Sequence, residues 1–399
     1  MLKRKIKRWL RDRTQQHRTQ QHRTRQQGAG FTLLELLISL FIGSIIVVAM
    51  LSLVFEITSN DRKDAARTEV QRDMQLAMNY IAQDLREAVF VYDGRCLGPT
   101  AVGSATDPAN FCPGLMNHLP DGWNADLNVA TDRAVGRFTP LLALWKPEDL
   151  PQSVLDRCEA AARDTSGVDS SATLINLINE KGVPCISRRS YTLIVYGLDT
   201  RNPSNIWKGR ARLSRYRLSQ FSESTDLDSA NPANPGWVNP KKTTTSRFLQ
   251  WPYIADEDTG AIANAQTTRP EGAPEVLVDF VDNGRPTPRL PAPTAPGCAA
   301  PSVPTFPYTD VSAPFPAGAA IPGFFACVRG GTVGAIGDEQ TVNQEVQLTL
   351  IGNVDGRGGF PLNRPDAEIP TPYNIQGRVF PLQTRVMTRG ILDKGSGED

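Results

Sequence analysis

The sequence predicts an α+β fold in which one long N-terminal helix, half of it transmembrane, packs on an antiparallel β-sheet with long, disulfide-bearing loop insertions. Three observations predict it. Residues 36–55 run for twenty positions without a charge or a proline. Residues 70–89 then repeat apolar side chains at three- and four-residue intervals. Beyond Val91 the texture changes to short β-like runs separated by Gly, Pro, Asn and Asp.

The first 30 residues read as a basic leader. They hold ten of the 43 Lys and Arg and a single acid, Asp12, with a five-residue repeat at 13–17 and 18–22. Cations placed just before a membrane helix hold that end in the cytoplasm. The remaining chain carries 33 basic against 41 acidic residues, a net charge of −8. That balance argues against nucleic acid as a partner, since phosphate binding needs a clustered positive surface.

Residues 31–57 form the membrane segment. Within 36–55 the polar content is Ser39, Ser44 and Ser52, with Gly43 among them. Twenty helical residues at about 1.5 Å each match the ~30 Å hydrocarbon core of a bilayer. A helix satisfies its own backbone hydrogen bonds there, so the lipid bilayer is an expected partner. Glu35 stands at the edge of the run, where a carboxylate is costly unless it is paired or reaches the interface.

Residues 58–92 continue the helix as an amphipathic segment. Val70, Met74, Ala77, Met78, Ile81, Leu85, Ala88 and Val89 form the stripe of a helix lying on a core. Asp64, Glu69, Arg72, Gln75, Asp84 and Arg86 are assigned to its solvated side.

Residues 93–399 form the exported β-rich domain. Strands are expected at 138–145, 191–197, 210–218, 275–282, 342–352 and 378–384, several with period-two alternation. The run 173–178 fits a short helix or a strand. Residues 285–324 are so proline-rich that ladder pairing is disfavoured, which makes them a surface excursion.

Six cysteines, Cys96, Cys112, Cys158, Cys185, Cys298 and Cys327, all lie beyond the membrane helix. An even count on one side of a membrane fits structural disulfides in an oxidising compartment. Nearest-neighbour pairing would join 96 to 112, 158 to 185 and 298 to 327, although six cysteines allow 15 connectivities. No C-x-x-C pair exists, and His118 is the single histidine beyond the leader, so no metal site is nominated. The same scarcity leaves no Ser-His-Asp or Cys-His arrangement outside His118. Gly331, Gly334 and Gly337 lack dinucleotide-loop spacing, and no cofactor is expected. Asp256, Glu257 and Asp258 read as a solvated acidic turn, with calcium binding as the alternative. The chain is not expected to be an enzyme.

The stretch GFTLLELL, residues 30–37, preceded by a basic leader and followed by the apolar run, resembles the prepilin signature of type IV pilins and type II secretion pseudopilins. The fold implied is pilin-like. The resemblance implies that a prepilin peptidase cuts after Gly30 and that Phe31 becomes an N-methylated first residue. Thr32 and Glu35 then serve assembly, Glu35 by meeting the amino terminus of a neighbouring subunit. It also implies other pilin or pseudopilin subunits and an inner-membrane assembly platform as partners. The protein would be single-pass in the cytoplasmic membrane, with its C-terminal domain periplasmic or extracellular. Ser52 stands where major pilins carry a proline, which removes the usual cause of a mid-helix kink.

Residues 78–88, MNYIAQDLREA, resemble the helix of PilW-like minor pilins and J-type pseudopilins. The stretches 191–221, 275–284 and 382–394 are similar to the cyanobacterial branch associated with hormogonium polysaccharide secretion (HpsC-like). That resemblance implies support of polysaccharide secretion or motility. A different class stays open: a membrane-anchored module that binds a carbohydrate or peptide through Trp207, Trp237 or Trp251 and never polymerises.

Overall fold

The apolar stripe and the apolar run become one uninterrupted helix, α1 (Leu33–Glu87), regular through Ser52. The computed structural model describes residues 32–105, 111–120, 138–163, 170–199, 207–283, 310–311, 323–329, 344–360 and 378–388. Gly30, Phe31 and Cys298 lie outside them. The chain divides after Thr58 into two units. In the first, the described residues belong almost wholly to the start of α1.

The second unit is built on a single sheet whose described pairings are all antiparallel. Its strands are β1 (Phe90–Val91), β2 (Thr139–Asp149), β3 (Arg189–Asp199), β4 (Ala211–Leu218), β7 (Glu275–Val281), β8 (Asp310–Val311), β9 (Phe324–Arg329), β10 (Glu345–Asn353) and β11 (Val379–Met387). A separate hairpin pairs β5 (Tyr253–Ala255) with β6 (Ile262–Asn264). The order is β1-β2-β3-β4-β7-β10-β9-β8, with β11 on the other edge of β10. All six expected strands are present over most of their lengths.

Val70, Met74, Ala77, Met78, Ile81 and Leu85 of α1 enter one core with Leu142, Leu144, Ile194, Tyr196, Leu213 and Leu348. The helix stripe and the inward side chains of the strands thus bury each other, the usual route by which an α+β domain closes. Asp84 departs from the expectation. The stripe places it on the solvated side, yet it is 4% exposed, because three cationic or hydroxyl groups from the sheet surround it.

Strand β9 was missed for a physical reason. Phe324, Phe325, Ala326, Cys327 and Val328 are all buried, so the segment is covered on both faces and shows no alternation. It also follows directly on the proline-rich run. Within that run Asp310–Val311 pairs with β9, so the excursion is not wholly without ladder pairing.

Residues Gln152–Arg163 form a helix that the sequence pattern does not announce; Val154, Cys158 and Ala161 form its buried stripe. Residues 173–178 prove helical, divided between Ser170–Ile175 and a π-helical turn, Asn176–Glu180. These helices share a second small core with Leu150, Val183 and Phe221. Bridges join Cys158 to Cys185 and Cys96 to Cys112, each a nearest-neighbour pair along the chain. Cys327 is disulfide-bonded as well, while its expected partner lies outside the described residues.

Gly358, in the turn after β10, holds a φ of +59°, and a Cβ there would lie 2.5 Å from the Ala66 methyl and 2.6 Å from the Arg62 carbonyl oxygen. The turn therefore touches α1 through bare backbone. Gly358→Val should destabilise the domain by about 2 kcal/mol or more, combining left-handed strain with overpacking. Urea unfolding of the detergent-solubilised chain measures this, and a change under about 0.5 kcal/mol, the range of ordinary surface substitutions, would show that the turn simply moves aside.

Candidate assembly site

Thr32 sits immediately before α1. Its carbonyl accepts the amides of Glu35 at 2.9 Å and Leu36 at 3.1 Å, and its hydroxyl oxygen accepts the Glu35 amide at 3.3 Å. Thr32 is thus the N-cap and Glu35 the third helical residue, the T-x-x-E spacing of a capping box. The acid also falls in the first turn, where the helix dipole favours negative charge. This role of Thr32 could have been read from T-x-x-E ahead of an apolar run, but the cleavage motif overlies the same four residues.

From Leu33 to Ile57 the large apolar side chains of α1 are all exposed, Leu33 by 82% and Phe41 by 64%. These 25 positions cover about 37 Å, enough to cross a bilayer. Ser39, Ser44 and Thr58 donate their hydroxyls to the carbonyls of Leu36, Phe41 and Val54 within the same helix. Such back-bonding leaves those hydroxyl protons no need of water.

Where α1 meets the sheet, a charged cluster fixes it. Asp84 Oδ1 accepts from Lys146 Nζ at 2.7 Å, and its Oδ2 accepts from Tyr196 Oη at 2.6 Å and Arg215 Nε at 2.9 Å. Lys146 also lies 3.2 Å from both Glu87 and Glu148, and Glu148 takes Arg217 at 2.7 Å. Burial alone would push the Asp84 carboxyl up, but the hydrogen bonds from Lys146 and Tyr196 and the charge of Arg215 outweigh it and hold it below its ordinary value. Glu148 is lowered in the same way: burial works against ionisation, while Arg217 and Lys146 prevail. Lys146 is raised, since Asp84 and Glu148 overcome its desolvation. Burial beside the Asp84 carboxylate drives the Tyr196 phenol far above the normal range, so it stays a donor. Three carboxylates face three cations here, which makes the cluster an anchor between α1 and the sheet.

His118 is buried with Nδ1 3.2 Å from Gln266 Oε1, between the rings of Trp251 and Tyr253. Burial, ahead of the opposing hydrogen bond to Gln266, lowers its pKa and keeps the ring neutral. The tryptophans considered for sugar stacking are committed elsewhere. Trp251 is 1% exposed and donates to the Val238 carbonyl, Trp237 donates to Tyr191, and Trp207 lies buried beneath Arg212. In the acidic turn, Asp256 Oδ1 accepts the Thr259 hydroxyl and amide and the Asp258 amide, closing its own loop.

Residues 25–51 match the family model described as the prokaryotic N-terminal methylation motif. No curated protein and no solved structure matches the chain. The match spans Gly30, Phe31, Thr32 and Glu35 and most of the exposed apolar part of α1. The chain therefore carries a type IV prepilin-like signal, which implies processing by prepilin peptidase, assembly with other pilins and anchoring in a membrane.

Proposed function

We propose that the chain is a minor pilin or pseudopilin of a type IV pilus-like or type II secretion-like assembly, cleaved after Gly30, methylated on Phe31 and incorporated through α1. The observation that carries the reading is one helix with two characters. Its first part bears the methylation motif and exposes a continuous run of large apolar side chains, and its second part buries one stripe in a sheet domain. A helix of that kind anchors in lipid before assembly and packs against other helices after it. The domain acts as a structural subunit rather than a catalyst, outside the cytoplasmic membrane, served by an inner-membrane assembly platform. Within this class the chain fits the PilW-like branch tied to polysaccharide secretion, on the resemblances of residues 78–88, 191–221, 275–284 and 382–394. The rival reading, an anchored sugar-binding module, has less support because Trp207, Trp237 and Trp251 are engaged in the fold.

Mass spectrometry of the N-terminus in native membranes tests the proposal, with a methylated Phe31 expected. Gly30→Val should leave full-length, unassembled membrane protein, because a peptidase must grip the backbone closely at a residue with no side chain. Normal cleavage of that variant would remove the prepilin reading.

A further inference from the structure

We infer that α1 and the open edge of β7 form a slot that accepts an extended strand from a neighbouring subunit of the assembly. The inference rests on the assembly reading above. Between Val70 and Leu85 all the apolar residues of α1 are buried except Leu76 and Tyr80, which are 59% and 44% exposed. With Asp73 and Ala77 they make an i, i+3, i+4, i+7 stripe along one flank of the helix, and that stripe lines a cavity of about 670 Å³.

The opposite wall is strand β7. Five consecutive residues, 276–280, reach the same cavity. Strand β7 carries two register shifts against β4 and a left-handed Phe280, so these residues do not alternate strictly; they line the cavity beside the edge that β4 leaves free. Among the described residues that edge is paired at one position, Val281 with Gly352, while β10 runs beside β9 over Glu345–Leu350. The other edge of β7 is paired with β4 from Glu275 to Val281. Among the described residues, no strand continues the sheet beside Glu275–Phe280 over this part of the helix. Val276 is left 51% exposed, and helix side chains that a further strand would cover stay open to water.

The chemistry selects the occupant. An open edge presents main-chain N–H and C=O groups that another strand satisfies and a helix cannot. The charges at the rim are already taken, Arg357 by Glu69 and Asp73, and Asp279 by Arg212 at 2.9 Å. Recognition is left to main-chain pairing and alternate apolar side chains seated on Leu76, Ala77 and Tyr80. A neighbouring subunit is the source because the floor of the slot is α1 itself, the helix that carries the methylation motif. Subunits gathered along that helix are already beside the slot.

The test places photoreactive benzoylphenylalanine at Leu76, at Val276 and, as a reference within the apolar run, at Ile46, in the full chain in cells that make the assembly. Expected are adducts from Leu76 and Val276 that map to one short non-helical stretch of another subunit and vanish in a Gly30→Val background. Leu76→Lys with Val276→Lys should lower incorporation about tenfold or more, the loss from removing buried interface anchors, with cleavage unchanged. Adducts from Ile46 to other subunits without any from Leu76 or Val276, or adducts that map to a helix, would overturn the slot and leave assembly intact. Absence of adducts from Ile46 as well would overturn the assembly reading and the slot together.

Discussion

Asp84→Ala is expected to destabilise the domain by about 3–5 kcal/mol, the effect of breaking a buried charge pair by removing one partner. The side chains of Asp84, Lys146 and Arg215 are each 10% exposed or less, so solvent screening offers little relief. The loss strands two cations and the Tyr196 hydroxyl against the flank of α1. Asp84→Asn keeps the shape and one acceptor oxygen for Tyr196 and Arg215 while turning an amide donor toward Lys146, so it should cost less than Asp84→Ala without being neutral. Combining Asp84→Leu with Lys146→Met should recover part of the stability, because an apolar pair of similar volume carries no desolvation penalty. Urea unfolding measures all three. A cost below about 1 kcal/mol for Asp84→Ala would show that Glu87 and Glu148 take over its cations.

The same cluster sets an acid limit. Asp84 and Glu148 are held below ordinary values of 3.8 and 4.5, so the unfolding chain takes up their protons first. Their contribution is complete above those values and is lost as pH falls through the lower native ones. Lys146 is raised above 10.5, so its share is complete below that value and is lost as pH rises through the native one. Acid unfolding of Asp84→Asn should be shallower than that of the parent chain.

Glu35→Ala is expected to leave export, leader removal and domain folding near normal while incorporation into a filament falls sharply. After cleavage its carboxylate stands only four residues beyond the Phe31 amine. In a monomer such a group near the membrane end snorkels to the interface. Once helices pack with an axial stagger, the carboxylate of one meets the amine of another with less water around them. The attraction grows as the local dielectric falls, though desolvation cancels part of it. A wrong register leaves a charge unpaired among apolar side chains, so the pair selects register more than it adds stability. The helix start survives the substitution, because the Thr32 cap receives the backbone amide of residue 35 rather than its side chain. Cleavage and assembly should be assayed in the same cells, with Ser39→Ala as the control, since that hydroxyl serves only the Leu36 carbonyl. Wild-type assembly of Glu35→Ala would exclude the charge pair even if Gly30 is cut as expected.

Sequence alone determined the features that repeat along the chain. An uncharged run of twenty residues, a stripe at 3.6-residue spacing and six short β-like runs, several of them alternating, carry local signals, so α1 and the main strands could be read without knowing their partners. The motif around Gly30 and Glu35 was legible for the same reason, because leader, glycine, acid and apolar run are contiguous. What only the tertiary structure decided are pairings across long separations. Asp84 looked solvated because Lys146, Tyr196 and Arg215, which bury it, lie 62, 112 and 131 residues further along. Strand β9 was hidden because burial on both faces erases the alternation that marks a strand. The free edge of β7 is a matter of what, among the described residues, does not pair with it, and such a gap leaves no trace in the order of residues.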